Sequence, residues 1–78
     1  MSTKTKPIEI VTRAPDQLGQ AIERIRHKKA LNQTLLAKSA GIRQATVSKA
    51  EKGLGTTEIK TIFALCAALG LEIVVRER

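Results

Sequence analysis

The stretch Leu31–Gly53, LNQTLLAKSAGIRQATVSKAEKG, holds two short amphipathic segments on either side of one glycine. Asn32 is a good N-cap, because its side-chain oxygen can accept from an N–H that the first helical turn leaves without a partner. Behind it Leu36, Ala37 and Ala40 take the inward positions of a helix over 33–40, and Gly41 can adopt the left-handed conformation that ends one. Ile42 follows as an apolar anchor. The spacing then predicts a helix over 44–52, with Val47 and Ala50 turned inward and Glu51 at the margin of that face. Ala37 is small where the two helices would cross closely, and Leu36, Ile42 and Val47 lock the crossing. Two short helices joined by a tight glycine turn are the helix-turn-helix arrangement.

Upstream, Pro15 suits the first position of a helix, where its missing N–H does no harm, and Asp16 favours the positive end of the helix dipole. Leu18, Ala21, Ile22 and Ile25 recur at i, i+3, i+4, i+7 and predict a helix over 16–29, with Arg24, Arg26, Lys28 and Lys29 mostly off the apolar stripe. Downstream, Gly53 and Gly55 break the chain. Thr57 is the expected N-cap of the longest helix, whose stripe of Ile59, Ile62, Phe63, Cys66 and Leu69 should form the hydrophobic centre before Gly70 ends it.

After Gly70 the period changes from 3.6 to 2. Leu71, Ile73 and Val75 alternate with Glu72, Val74 and Arg76, which predicts a strand of about five residues. Ile8–Thr12 is short and β-branched and reads as a second, edge strand with Ile8 and Ile10 on one face. A lone strand leaves its backbone donors and acceptors unpaired, so the C-terminal strand must meet either Ile8–Thr12 or another chain. Pairing across a dimer, through Leu71, Ile73, Val74 and Val75, is expected. Residues 1–7 read as a disordered basic tail, and 8–78 as one mainly α domain of four to five helices closed by the C-terminal strand.

Composition narrows the function. Fourteen Lys and Arg against seven Asp and Glu leave +7, with one aromatic residue, Phe63, and one cysteine, Cys66, in 78 residues. A chain this short buries only about 60% of the surface its unfolded form exposes, so a deep catalytic cleft is hard to build. A binding module is expected. His27, at the cationic end of the first helix, has no acidic or nucleophilic neighbour that would make it a general base. Cys66 reads as a small core residue, and no Cys/His spacing suits a metal. No catalytic residue, metal site or cofactor is expected. One cysteine, with no apolar run fit for a signal peptide or a membrane span, points to a reducing, cytoplasmic setting.

The charge is concentrated. Residues 20–52 hold eight cations and two acids, so 8 − 2 gives +6 of the total +7. A solvated face kept positive for solubility would carry such charge equally well. What favours a nucleic-acid partner is its coincidence with the two-helix motif, and the near absence of aromatics argues against single strands, whose binders stack bases on such rings. Duplex DNA is then the expected ligand. The outward N-terminal part of the second motif helix fits a major groove about 12 Å wide. There Gln44 can bond adenine at two points, Ala45 and Thr46 can touch a thymine methyl, and Arg43 or Lys49 can read guanine or hold phosphate. Gln33 at the start of the first motif helix can offer its backbone N–H and side chain to a phosphate, and Lys38, Ser48 and Lys52 are expected on the phosphate backbone.

Leu31–Gly53 resembles the helix-turn-helix of the phage-repressor-like (XRE) family, and IKTIFALCAALGLEI resembles that family's next helix. With RAPDQLGQAIERIR upstream and LEIVVRER downstream, the chain is most similar to HipB-type antitoxins of toxin–antitoxin operons. The resemblance covers about residues 8–76. It implies a lambda-repressor-like bundle of four or five helices, homodimerisation through a small intersubunit sheet at the C-terminus, operator binding with repression of the chain's own promoter, and capture of a HipA-like kinase toxin. On matching positions Gln33 and Thr34 would contact the backbone, and Arg43, Gln44, Ala45 and Thr46 the bases. Three positions depart from the pattern. Leu35 replaces the usual Glu and removes a capping box, Ala50 replaces a larger apolar residue, and Arg43 replaces a Ser cap. Two other roles stay open: a repressor with no toxin, and a protein-binding module that uses the basic face and the exposed Leu35.

Overall fold

The computed structural model describes residues 7–53 and 56–78. The expected basic tail lies, except for Pro7, outside the described residues, as does Gly55. Four helices follow one another: α1 (Pro15–Lys28), α2 (Gln33–Ala40), α3 (Gln44–Glu51) and α4 (Ile59–Leu69). α2 packs on α3 and on α4, and α1 closes the bundle from the other side by packing on α3 and α4.

The motif forms as its residues predict. Asn32 is the N-cap of α2, its Oδ1 accepting from the Leu35 N–H at 2.7 Å. At the other end Gly41 is left-handed, at φ 72°, and the Ile42 N–H reaches back to the Ala37 carbonyl at 3.0 Å, a Schellman closure. That turn drops Ile42 against the core, where Leu36, Ala37, Val47 and Ala50 are buried with Ile22, Ile25, Leu65 and Leu69. The same closure ends α4, where Gly70 is left-handed and the Leu71 N–H donates to Cys66. It also ends α1, where the left-handed residue is Ala30, at φ 56°.

Between α1 and α3 the contact is backbone to backbone. Gly19 is buried, and a Cβ built on it would stand 2.5 Å from the Glu51 carbonyl oxygen and 2.6 Å from that of Ala50. A side chain at 19 would therefore force the two helices apart. One turn earlier on α1, Asp16 meets Gly53 as closely, a Cβ at 53 falling 2.3 Å from the Asp16 Cα.

Several expectations are corrected. α1 begins at Pro15 and ends at Lys28, and Lys52 is the C-cap of α3 and not its last residue. Glu58, not Thr57, is the N-cap of α4, in extended conformation and without a side-chain cap, while the Thr57 hydroxyl oxygen is buried with no partner among the described residues. The inward stripe of α4 is turned from the expected one. Ile59 is 73% exposed and Phe63 55%, whereas Leu65, absent from the expected stripe, is fully buried beside Cys66 and Leu69. Arg26, placed off the apolar stripe by spacing, is buried.

No strand forms among the described residues, neither over Ile8–Thr12 nor over Leu71–Val75. A ladder needs a partner edge, and no backbone hydrogen bond joins the two segments. They flank one groove instead, and Ile10 and Leu71 are the residues that each of them packs against the core.

Candidate nucleic-acid interface

The interface is built on α2 and α3 and braced from below by charge. Arg26 projects from α1 into the angle between α2 and α3, where its Nε donates to Glu51 Oε2 at 2.6 Å and its Nη2 to Glu51 Oε1 at 3.0 Å. Its Nη1 donates to the Leu31 carbonyl at 2.9 Å, so one side chain ties α1, the end of α3 and the approach to α2. Burying a charge pair is tolerable only when both ions are well bonded, and this pair is. The bond from Glu51 holds the Arg26 guanidinium pKa above its ordinary value, against the opposing effect of burial.

Glu51 has one more partner. The Gln33 amide donates to Glu51 Oε1 at 2.9 Å, which fixes the amide's orientation and turns its oxygen outward. That oxygen accepts from the Gln44 side-chain amide. A chain of bonds thus runs from the buried Arg26 through Glu51 and Gln33 to Gln44 on the surface. Gln44 is held by its partner at one end and presents its carbonyl oxygen to solvent. Sequence spacing placed Gln33 and Gln44 on one interface but carried no sign that they bond to each other, since they lie eleven residues apart on different helices.

Around this pair the other expected residues sit as follows. Arg43, Ala45 and Lys49 are exposed, and Thr46 and Ser48 are half-buried. On α2 and beyond it Thr34, Lys38 and Lys52 are exposed and Gln33 is half-buried. Arg43 is the extended N-cap of α3 and makes no side-chain cap bond, which leaves its guanidinium without a local role. Leu35 is 49% exposed on the outer side of α2. The C-terminal residues are apart from this surface: Leu71 is half-buried, and Ile73, Val74 and Val75 are exposed, Val75 almost wholly at 97%. Among the described residues no group of three or more His, Cys, Asp or Glu is placed to hold a metal, and no helix is long and apolar enough to cross a membrane.

A buried helical motif, a left-handed glycine turn and an outward second helix define a helix-turn-helix domain. A helix-turn-helix family model matches residues 22–75, and the chain belongs to that family. Within it, the chain is 35% identical over 60 residues to Antitoxin HipB of Escherichia coli O6:H1 and to Antitoxin HipB of Escherichia coli strain K12. Those matches take in 77% of this chain but 64% and 68% of the two relatives, so the chain spans about two thirds of their length. Its structure is similar to HipB chains solved in a HipA–HipB–O2–O3 complex and in a HipB–O4 20mer complex. Each has a TM-score of 0.81 and 31% identity, with 86% of this chain and 94% of the other covered.

Proposed function

We propose that this chain is a sequence-specific, double-stranded DNA-binding repressor and the antitoxin of a HipA/HipB-type operon, acting in the cytoplasm without catalysis or cofactor. It represses its own promoter and binds a kinase toxin. The observation that carries this reading is the Gln33–Gln44 pair, a braced polar pair on the outward start of a helix that is surrounded by unpaired cations. The likeness to HipB chains in complexes with HipA and with a 20mer supports both partners.

In this role Arg43, Gln44, Ala45, Thr46 and Lys49 meet the bases, while Gln33, Thr34, Lys38, Ser48 and Lys52 meet the phosphates. Gln44, oriented by Gln33, presents its free carbonyl oxygen to a base donor such as the adenine amino group. The exposed cations supply attraction that is independent of sequence and weakens with salt. Two copies pair through Leu71, Ile73, Val74 and Val75, which places two α3 helices on half-sites about one helical turn, roughly 34 Å, apart.

The test compares Gln44→Ala with the unchanged chain on its own promoter and on random duplex. A loss of about 1–3 kcal/mol on the promoter, and much less on random duplex, is expected. Equal losses on both would reject α3 as the reading helix. Leu35 favours a second reading, in which the same face binds a protein. A salt titration decides, because DNA binding through several phosphates gives a slope of about −0.9 for each.

A further inference from the structure

Pro7–Arg13 and Glu72–Arg78 form the two walls of a groove of about 970 Å³ whose floor is Ile62 and Cys66 of α4 with Leu18 and Ala21 of α1. Neither wall is hydrogen-bonded to the other, so both present unpaired extended backbone to the space between them. On the first wall Ile10 and Thr12 are half-buried between exposed Glu9, Val11 and Arg13, whereas beyond the half-buried Leu71 the second wall is exposed on both sides, Ile73 and Val75 included.

The outward residues carry matching charge. Each wall has a Glu and an Arg four residues apart with a Val midway between: Glu9, Val11, Arg13 and Glu72, Val74, Arg76 in order for the first wall and the second. Run antiparallel, the two segments bring Glu9 opposite Arg76, Val11 opposite Val74 and Arg13 opposite Glu72. The same register puts Ile10 opposite Val75 and Thr12 opposite Ile73 on the other face, where pairing would cover the exposed Ile73 and Val75. Shifting by one residue would exchange the two faces of one strand, and shifting by two would leave at most one Glu–Arg pair, Glu9 with Arg78, in place of two. The C-terminal segment also matches itself. About a two-fold axis at Val74, Glu72 of one copy faces Arg76 of the other.

A strand has two edges, and both registers can be satisfied together. We propose that in the dimer the segment Leu71–Arg76 of one copy inserts into the groove of the other, between Ile8–Arg13 and Leu71–Arg76. This yields a four-stranded antiparallel sheet in which the N-terminal segments are the outer strands. The proposal rests on the dimer reading above and adds to it the N-terminal strand, its register and its partner. The second copy is the occupant because its charges complement both walls and because a strand seated there pairs both unpaired edges at once. The Arg13 N–H supports the phase. It is already donated to Gln17 Oε1 at 2.6 Å, so in a strand that continues back from Arg13 residues 10 and 12 would turn their N–H groups to the opposite side. Arg13 and Glu72 then face each other as a non-hydrogen-bonded pair, the kind whose side chains lie closest.

The test is a disulfide across that pair. In the full chain carrying Cys66→Ala, Arg13→Cys together with Glu72→Cys should give a covalent dimer on mild oxidation, and neither single cysteine should. An intrachain disulfide would overturn the insertion, because it would put the N-terminal segment beside its own C-terminus. A chain that sediments as a dimer but stays unlinked would overturn the register and leave the dimer reading standing. A monomeric unchanged chain would overturn both. Charge reversal gives a second readout without cysteines. Glu9→Arg with Arg13→Glu should weaken the dimer about tenfold or more, since four ion pairs per dimer are reversed. Adding Glu72→Arg with Arg76→Glu should restore it, because the C-terminal pairing tolerates the swap. No restoration would overturn the proposed contact.

Discussion

Arg26 and Glu51, twenty-five residues apart, form a two-point ion pair with both side chains removed from solvent, at 2.6 Å and 3.0 Å. Removing one partner strands the other in a site that water does not reach. Glu51→Ala is therefore expected to cost about 3–5 kcal/mol of folding free energy, whereas Arg26→Met with Glu51→Leu, which removes both charges, costs far less. Chemical denaturation of the three proteins checks it, and equal losses in the single and double variants would contradict the pairing.

Gln33 and Gln44 are coupled through their amides, so their contributions to DNA binding should not add. A double-mutant cycle with Gln33→Ala and Gln44→Ala, measured on promoter DNA, is expected to give an interaction term of about 0.5–3 kcal/mol. Additive losses would mean that Gln33 acts only on phosphate and does not orient its neighbour.

Gly19 is needed for proximity. Gly19→Ala sets a methyl group against the carbonyls of Ala50 and Glu51 and is expected to destabilise the fold by about 1–3 kcal/mol, seen as a lower melting temperature.

Ala30 is the opposite case. It occupies the left-handed position that glycine fills after α2 and α4, and Ala30→Gly is expected to stabilise the chain by about 0.5–1 kcal/mol, the relief of backbone strain outweighing the added flexibility of the unfolded chain.

Burial pushes the Cys66 thiol pKa up. A raised thiol pKa means that the folded state holds its proton more tightly than the unfolded state does. The contribution is fully present below the unfolded value of about 8.5 and is lost as pH rises above it. Stability should therefore fall as pH rises above about 8.5, and Cys66→Ala should remove part of that fall. In the native chain the thiol should also resist a thiol reagent at pH 8.

The motif was legible because its signals are local. Asn32, Gly41 and the spacing of Leu36 to Val47 each act within a few residues, and each appears in the fold as its chemistry requires. What sequence could not supply depended on distant partners. Arg26 looks like a surface cation until Glu51 is beside it, and Glu51 at the margin of an inward face was the one hint. On α4 apolar residues occupy so much of the circumference that two neighbouring stripes fit the spacing, and packing against α1 and α2 chose the one through Leu65. The strands expected to pair across a dimer do not form among the described residues of a single chain, because an extended segment becomes a strand only when another edge meets it. At the candidate interface, residue types and spacing marked a surface that α2 and α3 share, while the bond from Gln33 to Gln44 arose from the angle at which the two helices meet.

The close seat of α1 on α3 has a mechanical meaning. With Gly19 against the carbonyls of Ala50 and Glu51, and Asp16 against Gly53, no side chain lies between the two backbones at those two points to act as a cushion. The start of α1 and the end of α3 turn as a single rigid lever. Arg13 and the extended Ala14 lead into Pro15 at the head of that lever, so a pull on the N-terminal segment bears first on the seat of α1 against α3.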